Sequence, residues 1–140
     1  MNEAVKRWRH AGRVWLWRYK REKPQEWHLS ADREACAALL ELIDLLASSE
    51  FSGSATVPLS QLPIPVATPE FDPRPAKSLE IHYAPMKLPD AHWAIIAEAG
   101  NVRLDVGRDA LKSLREAVSN IAVGQGDYAL RAGEHRLWIW

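Results

Sequence analysis

Two stretches of this chain match at a constant offset of 75 residues. Residues 29–46 read LSADREACAALLELIDLL, and residues 104–121 read LDVGRDALKSLREAVSNI. Leu29 falls on Leu104, Ser30 on Asp105, Arg33 on Arg108, Ala35 on Ala110, Leu39 on Leu114, Ile43 on Val118 and Leu46 on Ile121. Each copy opens on the end of a strand, passes a capping residue and continues with apolar positions at helical spacing. A chain that carries such a unit twice must bury two amphipathic helices against sheet. That requirement predicts an α+β fold, built by internal duplication of a ββα-type unit, with a mostly antiparallel β-sheet and both helices on one face.

The strands around the helices follow from alternation. Residues 13–20 read RVWLWRYK, placing Trp15, Trp17 and Tyr19 on one face and Val14, Leu16 and Arg18 on the other. A second strand covers 26–30, with Trp27 and Leu29 facing inward and His28 outward. Ser30 is the expected cap of the first helix and Asp105 that of the second. Residues 54–59 suggest a short strand, and Leu79, Ile81 and Tyr83 alternate with polar neighbours in another. Gly100-Asn101 suggests a two-residue hairpin turn in which Ile95 faces Val106 and Glu98 faces Arg103. Residues 127–131 and 136–140 complete a final hairpin.

Between the copies, residues 60–77 hold Pro63, Pro65, Pro69, Pro73 and Pro75. Proline at that density removes ladder donors and helical freedom, so an extended connector is expected there. The chain then divides as a single domain, 1–140, with pseudo-repeat halves 13–59 and 78–140. Its 140 residues are enough to bury a core without staples.

Charge narrows the function classes. The net charge is zero, so no bulk field steers the molecule to nucleic acid or anionic membrane. The distribution is polarised, however: residues 1–23 hold eight basic against two acidic side chains. Cys36 is the only cysteine and lies on the apolar stripe of the first helix, where an inert buried thiol is expected. No apolar run has the length of a membrane span or the form of a secretory leader, so a cytoplasmic setting is expected. Richness in Ala and Arg suggests a bacterial source.

No motif for catalysis, metal or cofactor stands out. The histidines His10, His28, His82, His92 and His135 lack zinc-ligand spacing, and no phosphate-cradling glycine loop precedes a helix. His82 and His92 could meet on neighbouring strands, but paired surface side chains explain them better. Gly124-Gln125-Gly126 reads as a helix stop. The composition therefore predicts no cofactor and no metal.

Tryptophan is the surplus. Seven occur, four of them in the matching tetrapeptides Val14-Trp15-Leu16-Trp17 and Leu137-Trp138-Ile139-Trp140. Such rings either cover a sheet or form a contact surface, where Trp and Arg are enriched. The first expectation is a small non-catalytic binding protein, such as an inhibitor, adaptor or immunity-like factor. Its contacts with a protein partner or a second copy would fall on Trp15, Trp17, Arg18, Trp138 and Trp140. A second is single-stranded nucleic-acid binding through segment 6–21, where Arg7, Trp8, Arg9, Arg13, Lys20 and Arg21 interleave rings with cations. An enzyme whose site is assembled only by folding is a third.

Overall fold

The computed structural model describes residues 3–20, 23, 26–49, 52–62, 73–132 and 134–140. Arg21 and connector residues 63–72 lie outside them. The elements run α1 (Glu3–Arg7), β1 (Val14–Tyr19), β2 (Glu26–Ala31), α2 (Arg33–Ala47), β3 (Gly53–Val57), β4 (Pro73–Pro75), β5 (Ser78–Tyr83), β6 (Trp93–Glu98), β7 (Asn101–Val106), α3 (Arg108–Ala122), β8 (Tyr128–Ala132) and β9 (His135–Ile139). The fold is α+β, as the pattern predicts. None of the helices is long and apolar enough to cross a membrane, among the described residues.

The strands form two sheets rather than one, in the orders β4-β1-β2-β9-β8 and β3-β5-β7-β6. Hairpin neighbours pair antiparallel, but the central pair of each sheet, β2–β9 and β5–β7, is parallel. Strands from both ends of the chain share the first sheet: β1 and β2 precede α2, whereas β8 and β9 follow α3. The segment after α2 supplies β3 and β5 to the second sheet, where β5 lies beside β7.

The matched stretches occupy matching surroundings. β2 and β7, and α2 and α3, have bounds 75 residues apart. Each strand has an antiparallel partner on one side, β1 or β6, and a parallel partner on the other, β9 or β5. Val14 and Leu16, Trp27 and Leu29, and Leu137 and Ile139 point inward from the first sheet. Leu79, Ile81, Tyr83, Val102, Leu104, Val106 and Ile95 do so from the second. These faces join the apolar stripes of α2 and α3 in one contiguous core. Burial of that area is the principal stabilising term, at about 25 cal/mol per Å².

Several local expectations are corrected. Asp32, not Ser30, caps α2, its Oδ1 accepting from the Ala35 N–H at 2.8 Å. Ser30 remains within β2, paired with Trp15, and so lies ahead of the cap position at Asp32. At α3 the cap is Gly107, not Asp105, and it has no side-chain cap. The carbonyl of Asp90 accepts instead from the N–H groups of Asp109 and Ala110, at 2.8 and 3.1 Å. A Cβ at Gly107 would stand 2.0 Å from the Pro89 carbonyl oxygen, so only glycine lets this loop approach.

The β6–β7 turn is Ala99-Gly100, both at positive φ (53° and 88°), which shifts the register by two. Ile95 therefore faces Leu104 and Glu98 faces Asn101. A shift of two preserves which side chains face the core. The connector also contributes to a sheet: Pro73-Arg74-Pro75 pairs with β1 as an edge strand, the position in which proline's missing donor is tolerated.

Candidate binding surface on the five-stranded sheet

The outer face of the first sheet, turned away from the helices, carries the surplus rings. Trp15, Trp17 and Tyr19 reach it from β1, His28 from β2, and Trp138 from β9, with Trp140 directly after. β1 and β9 flank β2, so both tetrapeptides converge on His28, which is the Cα partner of Trp17 on one side and of Trp138 on the other. The Trp17 ring stacks on His28 with centroids 5.4 Å apart, Trp138 at 6.2 Å and Trp140 at 6.0 Å. Tyr19 meets it edge-on at 4.8 Å. Trp140 Nε1–H donates to His28 Nδ1 at 2.9 Å, which leaves the proton of the neutral imidazole on Nε2.

This array is packed rather than open. Trp17 and His28 are each 4% exposed, Trp15 and Trp138 are half-buried, and Trp140 is 46% exposed. The Trp15 N–H donates to the Gln61 carbonyl at 2.8 Å, so the start of the connector passes over that end of the face. The buried Nε1 atoms of Trp17 and Trp138 have no acceptor among the described residues. The result is a stiff ring platform with one ring projecting at its edge.

Arg18 is not part of it. Strand alternation turns its side chain to the inner side, where it lines a cleft of about 400 Å³ with Trp27, Arg74 and the β6–β7 hairpin. The predicted contact set thus divides, with the four tryptophans together and Arg18 on the opposite face.

The basic-aromatic segment is dispersed. Trp8 is half-buried and its N–H donates to the Ala38 carbonyl on α2 at 2.8 Å. Arg7, Arg9, Arg13 and Lys20 are exposed, but the one ring among the first of them is spent on packing. His82 and His92 do not meet on neighbouring strands, because β7 separates the strand of the first from β6, which follows the second. No cluster of three or more metal-ligating side chains forms among the described residues. Cys36 is buried, and burial, with Asp32 nearby, pushes its thiol above the ordinary value.

His28 is the residue that sequence reasoning undervalued. Alternation placed it on the face away from Trp27, but nothing local put it between two tryptophan strands. Its hydrogen bond to Trp140 spans 112 positions and depends on the parallel β2–β9 pairing. Comparison with family models, curated proteins and solved structures finds no match to this chain, so the functional reading rests on its own geometry.

Proposed function

We propose that this is a small non-catalytic binding protein, working in the cytoplasm, that docks another protein chain on the outer face of the five-stranded sheet. The docked chain is a heterologous partner or a second copy. One observation carries the reading: three tryptophans from the two ends of the chain, Trp17, Trp138 and Trp140, stack on His28, with Trp140 nearly half exposed at the margin. Rings already held by stacking lose little conformational freedom on binding, which favours affinity at a small contact. Indole side chains are the ones most enriched where binding energy concentrates. An inhibitor, adaptor or immunity-like factor needs such a platform and no reactive group.

The test compares wild type with Trp140→Arg, a change at an exposed ring that leaves the buried part of the array in place. Sedimentation equilibrium reports self-association, and affinity capture from cells that make the protein reports a stoichiometric partner. The variant is expected to lose the association by about tenfold or more while its melting curve is unchanged. A partner or dimer held equally well by both proteins would remove the outer face from consideration.

A further inference from the structure

We propose that the cleft between the two sheets, where Arg18 and Arg74 stand beside Trp27 and the β6–β7 hairpin, binds a small organic anion through its carboxylate or phosphate group. The cleft lies on the other side of the first sheet from the ring platform, so this site does not depend on the docking surface.

Arg18 and Arg74 are direct partners across the β1–β4 ladder, and both side chains line the cleft. Like charges directly opposite each other on neighbouring strands destabilise a sheet, and an anion held between them offsets that cost. A guanidinium matches carboxylate and phosphate oxygens with two parallel N–H bonds. It carries five donors in all, so one guanidinium can serve more than one acceptor, and both arginines make further contacts of their own. Lys77 lies beside the β6–β7 hairpin. Its backbone N–H donates to the Gly100 carbonyl at 2.7 Å, and its stem lies 3.0 to 3.3 Å from where a Gly100 Cβ would stand.

The remaining walls are apolar. The Trp27 ring, Pro75, Ile95 and Ala97 surround a volume of about 400 Å³, a size suited to a small ligand. The hairpin leaves this room because Ala97, Ala99 and Gly100 are small. The buried Trp27 Nε1–H has no acceptor among the described residues. A cationic end and an apolar remainder select an anion with a compact apolar body over a bare ion. Glu70 and Asp72 shortly precede β4 in the sequence, so the test also removes these two carboxylates as competitors of an added anion.

The experiment follows the indole N–H resonance of Trp27 in the full-length protein, assigned with Trp27→Phe. The probes are phenyl phosphate, benzoate and inorganic phosphate, and their order of affinity says whether the site prefers phosphate or carboxylate. A saturable shift is expected with at least one organic probe, about tenfold tighter than with inorganic phosphate. Arg18→Gln and Arg74→Gln should each weaken it by about tenfold or more, while Arg136→Gln, whose side chain pairs with Glu26, should not. Arg74 lies on an exposed edge strand, so its variant keeps the fold. Removing the rival carboxylates with Glu70→Gln and Asp72→Asn should tighten binding or leave it unchanged. No saturable shift up to about 10 mM probe, in wild type and in that double variant, would overturn the proposal. So would equal affinity for organic and inorganic phosphate, or undiminished binding by Arg74→Gln.

Discussion

The two sheets share one plan on their inner faces and differ on their outer ones. In the first, His28 sits between Trp17 and Trp138. At the matching place in the second, Arg103 sits between Ile96 and Glu80. A stack of rings in one is replaced by a charged group in the other, where Arg103 Nε donates to Asp105 at 2.8 Å and Ile96 is 41% exposed. Core demands act on the inner face of both sheets and keep them alike. The outer faces are released from that constraint, and there aromatic residues were placed on one sheet alone. That asymmetry is the physical ground for proposing docking on the first sheet rather than the second.

The comparison can be broken most forcefully at Trp17 and Ile96. Trp17→Ala should cost about 3–5 kcal/mol, as for a buried aromatic in a core, whereas Ile96→Ala should stay within about 0.5 kcal/mol. Urea unfolding of both variants checks this, and equal costs would mean that the rings contribute no more packing than an exposed aliphatic. The next effect belongs to the helix starts. Gly107→Ala drives a Cβ into the Pro89 carbonyl and should cost about 3 kcal/mol.

Side-chain deletions at the two caps should then differ in sign of importance. Asp32→Ala removes the acceptor for Ala35 and should cost about 1 kcal/mol. Asp90→Ala should cost almost nothing, because α3 is capped by the backbone carbonyl at that position. The Asp32 contribution also carries a pH signature. Its bond from the Ala35 N–H, a second backbone bond involving Arg13 and nearby positive charge hold the carboxyl below its usual value. A folded pKa below the unfolded one means stability present above the ordinary carboxylate range and lost as pH falls through the folded value. Asp32→Asn should flatten that acid limb, measured by unfolding between about pH 5 and 2.

The smallest effect is expected where α2 meets α3. The Arg115 guanidinium donates to Asp44 at 2.7 Å, and this bond holds the Asp44 carboxyl below its ordinary value. Both side chains are about half exposed, so solvent screens the pair. Asp44→Asn should produce only a slight destabilisation, one that vanishes in high salt. A large effect would show that the helix contact relies on this ion pair rather than on its apolar stripes.

What the residues alone determined is whatever depends on near neighbours along the chain. Period-two alternation separated Trp17 and His28 from Leu16, Trp27 and Leu29, and helical spacing found α2 and α3 with their buried stripes. It also put Arg18 on the face opposite to the indoles, although the contact set drawn from composition still grouped them. The caps were misjudged because Ser30 remains in the ladder, and because a backbone carbonyl from a distant loop caps α3 with no side-chain signal.

Tertiary structure decided the rest: two sheets instead of one, the parallel β2–β9 pair, His28 at the centre of the rings, and Arg18 opposite Arg74 in the cleft. These join segments far apart in the chain, some by more than a hundred residues. Local backbone geometry dictates which way a side chain points. Which strand lies alongside another is set by how all the apolar faces close around one core, and no short stretch of sequence contains that information.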